Sequence, residues 1–212
     1  MIGGKLYFSA SDGVHGKELW VSDGTTAGTQ LLKDIHPGGE SSEIWMLTTW
    51  NDKLFFRAND GVHGNELWVS DGTTAGTQML KDINPGVAGS FATWMTLLNN
   101  KLYFTANDIT HGYELRVTDG TTTGTQLVKD SHPGGSGNYI WNMQVLNNKL
   151  YFTADDGVHG KEPWVSDGTT LVIYLLNDIY PVSVFSEEGI FRLGLDRLFF
   201  GANDGVHGKE LW

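Results

Sequence analysis

Short apolar runs alternate with polar residues at a period of two along the chain, a spacing that predicts strands. Lys53-Leu54-Phe55-Phe56-Arg57-Ala58 is aromatic and short, and Glu66-Leu67-Trp68-Val69-Ser70 follows it after the loop Asn59-Asp60-Gly61-Val62-His63-Gly64. Asp71-Gly72-Thr73-Thr74-Ala75-Gly76 reads as a turn, because Asp and Gly tolerate the backbone angles a tight reversal requires. A third strand is predicted over residues 77–83, ended by the breaker Asn84-Pro85-Gly86. Residues 93–98 then lead through Asn99-Asn100, a hairpin turn, into the next aromatic run. No segment carries a convincing helical pattern.

This unit repeats. Leu6-Tyr7-Phe8, Leu54-Phe55-Phe56, Leu102-Tyr103-Phe104, Leu150-Tyr151-Phe152 and Leu198-Phe199-Phe200 follow one another at a constant step of 48 residues. Glu18-Leu19-Trp20, Glu66-Leu67-Trp68, Glu114-Leu115-Arg116, Glu162-Pro163-Trp164 and Glu210-Leu211-Trp212 keep the same step. Residues 5–52 match residues 53–100 at 31 of 48 positions without a gap, which implies equivalent packing environments. Four short strands per period of this length predict an all-β fold, a β-propeller of four-stranded antiparallel blades. The chain divides into a partial unit 1–39, units of about 40–87, 88–135 and 136–183, and a partial unit 184–212, together one repeat domain. The segment before each Asn-Asn turn is then the innermost strand. The chain opens on a second strand (residues 5–10) and ends just inside a third (Glu210-Leu211-Trp212). A ring of four blades sealed by the chain ends is the expectation, against five blades or a ring shared between chains. Unfinished strand edges at the ends would invite pairing with another copy.

Glu66-Leu67-Trp68-Val69-Ser70-Asp71-Gly72-Thr73, with Gly76-Thr77 after them, resembles the ELWxxDGT repeat family of bacterial proteins. The resemblance covers essentially the whole chain. Arg116, Pro163 and the divergent stretch 171–196 depart from the pattern. The resemblance implies a propeller in a secreted or cell-surface protein and brings no catalytic residues with it.

Composition narrows the function. A net charge of −11 makes nucleic acid a poor partner, since phosphate backbones are bound by clustered Lys and Arg. No apolar run approaches the roughly 20 residues of a membrane-spanning helix, and Met1-Ile2-Gly3-Gly4-Lys5-Leu6-Tyr7-Phe8 lacks the apolar stretch of a signal peptide. The absence of Cys excludes disulfides, thiolate metal sites and cysteine nucleophiles.

Each unit carries Asp-x-x-His-x-x-Glu around its first loop: Asp12, His15, Glu18; Asp60, His63, Glu66; Asp108, His111, Glu114; Asp156, His159, Glu162; Asp204, His207, Glu210. Asp60, His63 and Glu66 together offer a divalent-cation site, hard oxygens favouring calcium and the imidazole favouring zinc. The favoured alternative is an internal network in which Asp caps the turn, His bonds a neighbouring oxygen and Glu reaches a loop amide, with no cofactor. Asp23, Asp71, Asp119 and Asp167 read as turn residues bonding amides two positions on.

Trp20, Trp68, Trp164 and Trp212 share one repeat position, and Trp45 and Trp141 another. They suit either stacking platforms for sugars or filling between blades, and core packing is the favoured expectation. In Glu-Leu-Trp-Val the Leu and Trp alternate, so one faces inward. His36 and His132 sit in the connections between blades, on the side where the Asp-x-x-His loops lie. All seven His would therefore share one rim, the candidate binding face. No nucleophile elbow, phosphate loop or His-Glu-x-x-His helix is present, and nearly every polar residue has a counterpart 48 positions away. The asymmetric place is 171–196, with Glu187, Glu188, Arg192 and Asp196. The expectation is a non-catalytic scaffold or adhesion module that binds a protein or glycan through that face. A multivalent lectin with equivalent sites per blade is the alternative, and a hydrolase or lyase propeller a third class.

Overall fold

The computed structural model describes residues 2–133, 140–169, 172–179, 192–194 and 197–212, with the backbone alone for 192 and 193. Most of the divergent stretch, with Glu187, Glu188, Asp196 and the Arg192 side chain, lies outside the described residues. Every described element is a strand; no helix occurs among the described residues. The chain groups into two compact units, Met1–Thr93 with Gly120–Thr122, and Trp94–Asp119 with Thr123–Trp212.

In the first unit, β1 (Leu6–Ser11), β2 (Lys17–Ser22) and β3 (Gln30–Lys33) form a three-stranded antiparallel sheet. β4 (Trp45–Trp50), β5 (Lys53–Asn59), β6 (Asn65–Ser70) and β7 (Gln78–Lys81) form a four-stranded antiparallel sheet in chain order. Asn51 and Asp52, at φ 48° and 54°, make the β4–β5 reversal. Two consecutive left-handed residues give a two-residue turn the twist that matches its strands, and Asn and Asp accept that conformation. The cores form between the sheets. Leu19, Val21, Leu32 and Ile35 from the first pack with Leu54, Phe56, Ala58 and Trp68 from the second.

Leu67 and Trp68 are both buried, at 0% and 5% exposure, although they point to opposite faces of β6. β6 is covered on both faces, so its pattern is continuous burial rather than alternation, and Trp68 takes the favoured packing role.

The second unit repeats the plan with β8 (Thr93–Leu98, starting at the boundary), β9 (Lys101–Asp108), β10 (Gly112–Thr118) and β11 (Gln126–Leu127). β12 (Trp141–Leu146), β13 (Lys149–Asp155), β14 (Lys161–Ser166) and β15 (Ile173–Leu175) make the next sheet. The two-stranded pairs β16 (Arg192–Gly194) with β17 (Arg197–Phe199), and β18 (Gly201–Asn203) with β19 (Lys209–Leu211), follow. Its core joins Leu98, Tyr103, Leu115 and Val117 to Met143, Phe152 and Trp164.

The Asp-Gly-Thr-Thr turn is more than a reversal. Asp71 Oδ1 accepts from the Thr73 amide at 2.9 Å and the Thr73 hydroxyl at 2.7 Å. Gly72, at φ 89°, lies so close to the Tyr7 hydroxyl that a Cβ would come within 2.4 Å of it. Thr74 Oγ1 donates to the Leu32 carbonyl of the preceding sheet at 2.7 Å, and Thr122 Oγ1 likewise to Leu80 at 2.8 Å. In the second unit Tyr103 Oη donates to the Gly168 carbonyl at 2.9 Å. Asp23, Asp71 and Asp167 cap their turns through the first Thr, and Thr74 and Thr122 dock theirs on the preceding strand.

Candidate functional site

The loop between the second and third strands of each sheet is built by its aspartate. Asp60 Oδ1 accepts from the Val62 and His63 amides at 2.9 and 2.8 Å, while Oδ2 meets His63 Nδ1 at 2.7 Å. An ionised carboxylate only accepts, so Nδ1 carries the proton and Nε2 is left facing outward from the pair. Asp12–His15, Asp156–His159 and Asp204–His207 repeat the contact at 2.7 Å, and Asp108–His111 at 2.9 Å. In Asp12 and Asp204 the amide bonds and the histidine hold the carboxyl below the usual range. In Asp60 and Asp156 burial pushes upward, but the amide and imidazole bonds outweigh it and the net direction is down. The hydrogen bond to aspartate raises His15, His63, His159 and His207.

Glutamate takes the other side. Glu66 is wholly buried and accepts from the Ile83 amide at 3.1 Å, the Asn84 amide at 3.0 Å and the Ser90 hydroxyl at 2.6 Å. Glu18 holds the Ile35 and Ser42 amides at 2.8 and 3.0 Å, and Glu162 the Ile179 amide at 3.1 Å. Glu114 accepts from the Ser131 hydroxyl at 2.9 Å and the His132 amide at 3.3 Å. Burial pushes Glu18, Glu66 and Glu114 up against the opposing pull of these bonds. Each glutamate ties the connection after the fourth strand back to the third strand. The calcium or zinc alternative at Asp60, His63 and Glu66 therefore loses its third ligand. Among the described residues no three His, Asp or Glu side chains converge as a metal shell.

In each unit the connections lie against the Asp-x-x-His loops. A Cβ on Gly61 would sit 2.4 Å from His36 Nε2, and one on Gly157 2.4 Å from His132 Nε2. A Cβ on Gly64 would meet Gly89 N and the Val87 carbonyl, each at 2.6 Å. The half-buried His36 and His132 rings lie over Gly61 and Gly157 at this end of their sheets. His15, His63, His111, His159 and His207 remain accessible at the loops, beside the exposed apolar tips Val14, Val62, Ile109, Val158 and Val206. The sequence reading did not single out those tips.

The tryptophans divide differently from the stacking expectation. Trp68 and Trp164, at 5% and 7% exposure, belong to the cores, and Trp20 is half-buried with its Nε1 enclosed. They are not platforms, because sheets stacked face to face take them in. The equivalent Arg116 is also buried and pairs with Asp108, which is lowered to about 2 by its histidine, amide and guanidinium contacts although burial opposes them.

Trp45 is 58% exposed. It stands opposite Arg57 on the neighbouring strand, at the loop end of its sheet, and the Arg57 guanidinium lies 5.7 Å from the centre of the Phe91 ring. Phe91 is itself 39% exposed. Beside them the Asn65 amide donates to Glu43 Oε2 at 2.7 Å. Phe91 and Arg57 were missed from the sequence, although one signal marks the region. Residues 5–36 match their counterparts at 26 of 32 positions, whereas 37–52 match at 5 of 16.

No protein-family model matches the chain. No curated protein matches it either. Solved structures do resemble it. The puromycin hydrolase S511A mutant complexed with PGG aligns with a TM-score of 0.54 and 15% identity, over 94% of this chain and 32% of that one. Prolyl oligopeptidase B from Galerina marginata, bound to a 35mer hydrolysis and macrocyclization substrate, aligns at 0.57 and 12%, over 94% and 28%. TolB from Acinetobacter baumannii aligns at 0.51 and 12%, over 98% and 53%. The chain thus spans about a third of the hydrolases' length and about half of TolB's. At this identity the likeness shows the fold alone, an all-β, propeller-like arrangement of antiparallel sheets.

Proposed function

We propose that the chain is a non-catalytic binding module: a repeat scaffold or adhesion module that takes a protein or glycan through the loop end of its sheets. The architecture proposed with it is a β-propeller of 48-residue blades, in a secreted or surface setting as the ELWxxDGT resemblance implies. One observation carries the reading. The acidic and imidazole groups that recur in every repeat are occupied in building loops, while apolar tips and accessible imidazoles stand exposed beside them. The likeness to hydrolases adds no catalytic chemistry, because it rests on about a third of their length.

The alternative of a lectin is favoured by exposed Trp45, but not with equivalent sites at Trp20, Trp68 and Trp164, two of which are core residues. Surface-plasmon screening against a glycan array and a bacterial surface-protein panel tests the proposal. Binding that weakens in a Val62→Ser, His63→Ala double variant supports it. Turnover of a peptide or ester substrate by the purified chain, or binding indifferent to the loop variants and to Trp45, overturns it.

A further inference from the structure

We infer that Trp45, Arg57 and Phe91, with Glu43 and Asn65, form a carbohydrate subsite that takes a neutral pyranose.

Large aromatic rings ordinarily go inside, and this chain encloses Trp68 and Trp164. Trp45 and Phe91 instead stay open to solvent within one unit. Arg57 bridges them, as the cross-strand partner of Trp45 and the cation beside the Phe91 ring. The backbone around them is one the repeat keeps: Met46, Trp94 and Asn142 share a position and a left-handed φ, as do Glu43 and Phe91. Glu43, Met46 and Phe91 sit at φ 52°, 57° and 51°, in the left-handed region that non-glycine residues rarely occupy. Met46 falls where the β4–β5 register shifts, between Trp45 and Thr48, so the chain bulges beside Trp45.

The ligand class follows from the groups. A pyranose has an apolar C–H face that lies on an aromatic ring and a rim of hydroxyls that both donate and accept. Trp45 and Phe91 supply flat apolar surface, Arg57 a donor, and the exposed Glu43 carboxylate, steadied by the buried Asn65 amide, an acceptor. One cation stands against one anion, so the subsite carries no net charge and selects no charged sugar.

The subsite rests on the binding-module reading and sharpens it. Saturation-transfer NMR on the full chain, with tetramers of β-1,4-glucose, β-1,4-N-acetylglucosamine and α-1,4-glucose, tests it. At least one tetramer should receive saturation on its ring protons, and Trp45→Ala and Phe91→Ala should each weaken its binding about tenfold or more. Trp45 is more exposed than covered, so Trp45→Ala should leave thermal melting unchanged and separate loss of binding from unfolding. A tetramer that binds equally well to both variants overturns the subsite and leaves the binding module standing. So does transfer to none of the tetramers. Trp45-dependent capture of an unmodified peptide in place of sugar overturns the assignment of carbohydrate.

Discussion

Glu66 is the sharpest place to test how the repeat holds itself together. Its carboxylate is wholly buried and accepts from two backbone amides and one hydroxyl. Glu66→Ala leaves the Ile83 and Asn84 amides without an acceptor, while Ser90 Oγ keeps a long alternative, the Asn65 carbonyl at 3.4 Å. Two orphaned buried amides at about 1–3 kcal/mol each give a loss of about 2–6 kcal/mol. Glu66→Gln keeps one acceptor oxygen but turns an NH2 towards the remaining donors, so its cost should be smaller, about 1–3 kcal/mol.

The pH dependence separates the two contributions. Burial raises the Glu66 carboxyl in the folded state, so its contribution is full below the unfolded value and is lost as pH rises through the folded one. Glutamine has no such titration, and the gap between wild type and Glu66→Gln should therefore narrow as pH rises. Urea unfolding followed by Trp fluorescence, with the m-value unchanged, reads the gap, and amide exchange at Ile83 and Asn84 reports the cause. A Glu66→Ala loss below about 1 kcal/mol with both amides still protected, or a gap that widens with pH, would refute the reasoning.

Trp68→Ala should cost about 3–5 kcal/mol, whereas Trp68→Phe should cost under about 1.5 kcal/mol because the enclosed Nε1 has no partner to lose; calorimetric melting tells them apart. Arg116→Ala should cost about 1–3 kcal/mol, because Asp108 loses one partner and keeps its Thr110 and His111 bonds, and NMR titration should show that carboxyl rising from about 2. Gly61→Ala should destabilise more than Gly13→Ala. Both have left-handed φ, but only Gly61 faces a neighbour, and His36→Ala should erase the difference in melting temperature. The raised histidines, each facing carboxylates (for His63, Asp60, Asp82 and Glu66), contribute stability that is full below about 6.5 and lost as pH rises through their folded values; replacing His15, His63, His159 and His207 with Gln should flatten that slope in a pH series of unfolding curves.

Strands and turns were legible because the repeat removes ambiguity: a run such as Leu54-Phe55-Phe56 gains weight from four copies in register. The Asn99-Asn100 hairpin was legible from local chemistry, and its residues adopt φ 50° and 54°. Inter-sheet relations were not. Nothing local to Trp68 says that both faces of its strand are covered. Nothing near His36 says that it lies over a glycine 25 residues ahead. The Asp-x-x-His-x-x-Glu spacing was visible as a constellation, yet strand direction decides which members meet. His63 stays on the loop with Asp60, whereas Glu66 has already entered β6 and faces the connection. The exposed platform was half visible through Trp45. Arg57 and Phe91 join it only through cross-strand pairing and the packing of the next connection.

At Thr74 and Thr122 the Asp-Gly-Thr-Thr turn works as plug and socket. The second Thr is the plug, and the carbonyl of the preceding fourth strand is the socket, Leu32 for Thr74 and Leu80 for Thr122. Residues 53–100 carry both parts, the plug at Thr74 and the socket at Leu80, so one segment receives a neighbour on one side and offers a joint on the other. Such a chain lengthens or shortens by whole copies without inventing a new joint. Gene duplication can thus change its reach while each copy's first strand is free to specialise.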